Sequence, residues 1–204
     1  MRITLIGMSG VGKSYWSNKI ATDLGYAKID CDERINAKLS EKLANFGVTS
    51  DFLSISQWRG LPFESGYQEK EALQIAIEQE IMKEVTDELT NTSQENLVID
   101  ASGSVIYALG DTLSQLKKET TCVYIEATRD HIHSLYTDEI IFKRPLIWGK
   151  EFYCKNGETG LEAMKRSYAD VLSWRSAQYE KLADKVIPFE HARRANSALE
   201  LFDL

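Results

Sequence analysis

Five short runs of apolar and β-branched residues punctuate the chain, at 2–6, 26–29, 97–99, 122–125 and 185–187, and helical-period stretches separate them. Buried strands alternating with helices predict a parallel sheet covered by helices. The first helix is expected over 14–24, ending before Gly25. The longest is expected over 68–89, where Ala72, Ile75, Ala76, Met82, Val85 and Leu89 form an apolar stripe and the glutamates read as its solvated face. Residues 38–62 carry no clear period. Residues 138–160 mix aromatics with Lys143, Arg144, Lys150 and Lys155 around glycines and a proline, the pattern of an irregular basic segment.

Between the first strand and the first helix stands GMSGVGKS, in which Gly7, Gly12, Lys13 and Ser14 satisfy G-x-x-x-x-G-K-[ST]. In that pattern backbone N–H groups wrap phosphates, the lysine reaches the β and γ oxygens, and the hydroxyl meets Mg²⁺. Gly7, Ser9, Gly10, Val11, Gly12, Lys13, Ser14 and Tyr15 are therefore the nucleotide-binding candidates. Strand, loop and helix follow in the order the motif requires, so the expected architecture is α/β: a three-layer P-loop NTPase fold. Its five-stranded parallel sheet carries helices on both faces, in a single domain over 1–204 with a mobile lid at about 138–160. A basic lid excludes water and brings cations to a transferring phosphate.

The 204 residues suffice for a sizeable core without disulfides. Lys and Arg number 24 against 31 Asp and Glu, a balance that argues against a general nucleic-acid or membrane-surface binder. Cys31, Cys122 and Cys154 are too dispersed for a zinc or C-x-x-C pattern and read as free thiols of a reducing compartment. No apolar run approaches the ~18 residues of a membrane span, which makes the cytoplasm the expected location.

The second strand ends in IDCDER, and strand alternation would put Asp30 and Asp32 on one side at the carboxyl edge, where open α/β sheets bind ligands. One carboxylate can serve the Mg²⁺ shell and the other can accept a hydroxyl proton; capping of the next helix is the plainer role for such residues. Asp100, at the end of LVID, is a further metal-side candidate. The following ASGS brings Ser102, Gly103 and Ser104 near a ligand, or simply makes a small turn.

Together these motifs resemble the shikimate kinase family of P-loop small-molecule kinases, over most of the chain. GMSGVGKS with LGYAKIDCDERI is similar to its phosphate loop and D-x-D strand, KRPLI to its lid R-P-L, and SWRSAQYEKLAD to its R-x-x-x-Y segment. The resemblance implies Lys13 and Ser14 on phosphate and Mg²⁺, Asp30 on the metal side, and Asp32 as base for the accepting hydroxyl. Arg144 would neutralise the transferring phosphoryl group, and Arg175 would anchor an anionic group of the acceptor.

Departures fall on the acceptor side. YQEKE stands where the family has F-R-x-x-E, so Gln68 replaces an arginine of the carboxylate site, and Arg59 in QWRGLPFESG is the nearest substitute cation. The triple glycine becomes ASGS, with Gly103 retained. The implied activity is ATP-dependent phosphorylation of a hydroxyl on a small anionic metabolite, with Mg²⁺ as cofactor and ATP and the acceptor as partners. The acceptor contacts would be Asp32, Arg59, Gln68, Ser102, Gly103 and Arg175. The alternative is an ATP-binding regulatory or degenerate kinase. A GTPase switch lacks its N-K-x-D, since Asn18-Lys19 lies inside the first helix.

Overall fold

The computed structural model describes residues 1–128, 132 and 146–202. Its five strands, β1 (Arg2–Ile6), β2 (Ala27–Asp30), β3 (Leu97–Asp100), β4 (Thr121–Glu126) and β5 (Lys185–Pro188), form one sheet in the order β2-β3-β1-β4-β5, every neighbouring pair parallel. The three central strands are buried nearly throughout because helices cover them, which is why they read as unbroken apolar runs rather than alternating ones.

Eight helices occur among the described residues: α1 (Lys13–Leu24), α2 (Cys31–Lys42), α3 (Phe52–Arg59), α4 (Tyr67–Asn91), α5 (Gly110–Glu119), α6 (Gly160–Leu182), α7 (Phe189–Arg194) and α8 (Ala198–Phe202). Helix α1 packs on β3 and against α8, whereas α4 packs with α2 and α5. Thr159 and Glu162 close a capping box at the start of α6, satisfying backbone N–H groups that the first turn leaves unpaired. No described helix is long and apolar enough to cross a membrane. The three cysteines are free, Cys31 and Cys122 buried and Cys154 exposed.

Two expectations change. The second strand ends at Asp30 and α2 begins at Cys31, so Asp32 lies in a helical first turn and strand alternation does not orient it. The inward stripe of α4 also differs from the expected one. Ala72 and Ala76 are exposed, while Tyr67, Glu71, Ile77, Glu78 and Ile81 are buried along with Met82, Val85 and Leu89. Two glutamates read as solvated thus face inward, because helical spacing carries the buried line from Leu89 back through Val85 and Met82 to Glu78 and Glu71.

Part of the expected lid is fixed in place. Glu71 accepts hydrogen bonds from the backbone N–H of Trp148 and Gly149 and from the Tyr67 hydroxyl. Trp148 is buried between Phe152 and Tyr168, with ring centroids 5.7 and 5.8 Å away, so residues 146–152 pack on the domain. Residues 138–145, Arg144 among them, lie outside the described residues.

Candidate active site

The loop from Gly7 to Gly12 leaves β1 at the carboxyl edge of the sheet and enters α1. Gly7 has φ 143°, and a Cβ there would stand 2.7 Å from the Ile125 carbonyl oxygen of β4. Only glycine combines that backbone with that approach. Gly12, with φ 94°, caps α1 without any side-chain acceptor, leaving the first N–H groups of the helix available to an anion at its positive end. Ser9, Gly10, Ser14 and Tyr15 are exposed around this cradle, and Val11 is buried beneath it.

Lys13 is buried, and its ammonium donates to the Met8 carbonyl at 3.1 Å, inside the curve of the loop. Burial pulls its pKa below the usual lysine range while Asp32 and Asp100 act the other way. Asp32 is the counterpart. Burial pushes its carboxyl above the usual range and the Lys13 charge pulls it back. The three groups form one electrostatic unit at the mouth of the loop.

The remaining acids are already engaged. Asp30 caps α2 by accepting from the Glu33 N–H at 3.1 Å and pairs with Lys28 at 3.0 Å. Asp100, opposite Asp30 in the β2–β3 register, is buried; Ser17 donates to it at 3.1 Å and Lys28 stands 3.8 Å away.

Beside the loop, touching it through Ser9, lies a cavity of about 300 Å³. Its polar groups come from separate elements: Asp32 from α2, Arg59 from α3, Gln74 and Glu78 from α4, Ser104 from the turn after β3, and Arg175 from α6. Ile35, Ile55 and Ile147 add apolar wall. Arg175 donates to the Gly103 carbonyl at 3.2 Å and the Ile147 carbonyl at 2.9 Å, and Tyr179, one turn on, donates to the same Gly103 oxygen. These bonds fix the guanidinium against the cavity wall. Arg59 donates to Gln74 Oε1, and Gln74 Nε2 donates to Glu78 Oε1 at 3.1 Å.

Of the residues expected on the acceptor side, Asp32, Arg59, Gly103 and Arg175 line this cavity. Gln68 does not: it is exposed on α4. Ser102 is buried and spends its hydroxyl on the Ser104 N–H, 3.2 Å away. Gln74, Glu78 and Ser104 line the cavity although Gln74 and Glu78 were not anticipated. The signal for Glu78 was positional, since it continues the Leu89, Val85, Met82 line by helical steps.

Glu78 is buried and its pKa is pushed up to about 7, chiefly by burial, against the pull of Ser104 and Gln74 and with Asp32 and Arg175 nearby. In the unfolded chain its ordinary value is 4.5. The folded protein therefore holds this proton more tightly, and the associated stability is fully present below pH 4.5 and lost as pH rises through about 7. Glu78→Gln, neutral throughout, should gain on the wild type by about 3 kcal/mol between those limits. Denaturant unfolding of both proteins at a series of pH values measures this; parallel curves would disprove it.

A glycine-rich phosphate-loop motif at the carboxyl edge of a parallel β2-β3-β1-β4-β5 sheet, with a charged cavity beside it, defines a P-loop nucleotide-binding fold. Among solved structures, shikimate kinase from Bacteroides thetaiotaomicron is similar with a TM-score of 0.57 at 19% identity, over 100% of this chain and 93% of that one. Shikimate kinase from Acinetobacter baumannii, in complex with shikimate, gives 0.54 at 21% identity over 98% and 87% of the two chains. That from Aquifex aeolicus gives 0.52 at 22% over 93% and 88%. The fold is thus a shikimate kinase-like P-loop kinase fold. No protein-family model and no curated protein matches the sequence.

Proposed function

We propose that the protein is an ATP-dependent phosphotransferase acting on a hydroxyl of a small anionic metabolite. The observation that carries this is the junction of two sites: Lys13 and Asp32 interact at the mouth of the loop, and Asp32 also lines a cavity holding two buried guanidiniums, Arg59 and Arg175. Cations deep in the cavity would hold the acceptor's anionic group. Its hydroxyl would then lie toward Asp32, between the acceptor site and the phosphates.

In this mechanism Lys13 and the loop N–H groups hold the triphosphate and neutralise charge as it shifts onto the leaving oxygens. Asp32 accepts the hydroxyl proton, and the burial that raises its affinity for a proton suits it to that task. Arg144 would stabilise the phosphoryl group from the lid. The exposed Ser14 hydroxyl at the start of α1 and the nearby carboxylates are hard oxygen donors, the kind that suit a Mg²⁺ ion carried by nucleotide. Exposed Ser14 and the carboxylates of Asp100 and Asp30 would hold that ion, which supplies charge neutralisation on the phosphates. The absence of the family arginine at Gln68, which motivates a non-catalytic reading, is offset by Arg59 entering the cavity from α3.

The test is acceptor-dependent ADP formation from Mg-ATP with shikimate and a panel of small hydroxy acids, sugars and nucleosides. An anionic acceptor should stimulate ADP release, and Arg175→Ala should raise its KM by about a hundredfold while the KM for ATP moves little. A protein that binds ATP but releases no ADP with any acceptor would fit the regulatory alternative instead.

A further inference from the structure

The acceptor cavity contains two side-chain atoms of opposite character that make no hydrogen bond of ordinary geometry. Glu78 and Arg175 are 3% and 4% exposed, and both line the cavity. Glu78 Oε1 is held by Gln74 at 3.1 Å and the Ser104 side chain also acts on the carboxyl, but its buried Oε2 makes no hydrogen bond of ordinary geometry. The two terminal nitrogens of Arg175 bond to backbone carbonyls and Tyr107 lies beside the guanidinium, while its buried Nε makes no hydrogen bond of ordinary geometry. Buried polar groups are rarely left so, because each unsatisfied one costs most of its lost hydration. A cavity built to hold only an anion would need no carboxyl here.

Resting on the kinase reading of this cavity, we propose that Glu78 is a specificity-determining residue. The acceptor carries, besides its anionic group and the hydroxyl to be phosphorylated, a separate proton-donating group that meets the Glu78 carboxyl. An ammonium or a second hydroxyl supplies that chemistry. Gln74 serves the same end by tying Glu78 to Arg59, so that the acceptor's anion and its donor are read by one connected set of side chains. A substrate lacking the donor would bury the Glu78 oxygen unpaired, the situation in which sites built around a hydrogen bond discriminate most strongly.

Three four-carbon probes test this by calorimetric titration of the full chain with a non-hydrolysable ATP analogue and Mg²⁺: 4-hydroxybutyrate, 2,4-dihydroxybutyrate and homoserine. They share a carboxylate and a terminal hydroxyl and differ only at the second carbon, which bears hydrogen, hydroxyl or ammonium. The expected result is that one or both of the latter two bind roughly 10- to 100-fold more tightly than 4-hydroxybutyrate. Glu78→Gln then separates the sources. Its amide still accepts from a hydroxyl but cannot balance an ammonium, so an advantage that survives marks the hydroxyl and one that vanishes marks the ammonium. Equal affinities for all three in the wild type, or binding of none, would overturn the proposal, and the wild-type comparison stands even if the variant folds poorly. ADP formation with any acceptor would leave the kinase reading in place in either case.

Discussion

Asp32→Asn is expected to leave Mg-ATP affinity within a few fold of the wild type and to lower acceptor-dependent turnover by roughly 10²- to 10⁴-fold. The substitution keeps the shape of the side chain, so the cavity and the first turn of α2 should survive it. What it removes is the ability to take a proton. Among the described residues Asp32 is the acid that both lines the cavity and interacts electrostatically with Lys13, whereas Asp30 caps α2 and Asp100 is bonded to Ser17. Neither is free to stand in for it. Steady-state ADP release with a responsive acceptor, beside equilibrium binding of nucleotide, measures the two effects separately. Turnover that persists in the variant would remove Asp32 from the role of base.

Lys13→Ala should abolish transfer and weaken Mg-ATP binding by roughly 10- to 100-fold, the worth of a charge-assisted hydrogen bond from a buried ammonium. The lysine already points its ammonium into the loop, at the Met8 carbonyl, which on the kinase reading is where phosphates would meet it. Removing it also takes away the opposing charge that lowers the pKa of Asp32, and Asp32 should then hold its proton to a higher pH. Lys13→Met, which keeps the apolar stem, distinguishes loss of charge from loss of packing. If both variants bound Mg-ATP as tightly as the wild type, the loop would not be a phosphate cradle in this protein.

The reach of the sequence differs between the two halves of the site. The conformation of the glycine-rich loop was legible down to single residues because one contiguous stretch makes it. Gly7 and Gly12 adopt backbone angles that only their own chemistry permits, and the strand before and helix after announce themselves by local periodicity. The five strands were legible for a similar reason, since burial on both faces writes itself as an apolar run. Around the cavity, Asp32, Arg59 and Arg175 lie where their motifs point, whereas Gln68 is exposed and Glu78 is buried, the reverse of what local pattern suggests. A helix with polar residues on its inward face looks from sequence like a helix turned the other way, and only the register of its far end reveals the rotation.

Local pattern in the chain set the order of strand, loop and helix, the glycine-rich loop with its lysine, and which charged residues the fold has to bring together. Tertiary structure decided which of those charges meet. Asp32, Arg59, Glu78 and Arg175 sit on four helices far apart in the chain, and they converge only because α2, α3, α4 and α6 pack around one cavity. Local pattern records how a segment folds against itself and its solvent. The distance between charges on separate helices is set by packing, and packing is a property of the whole chain.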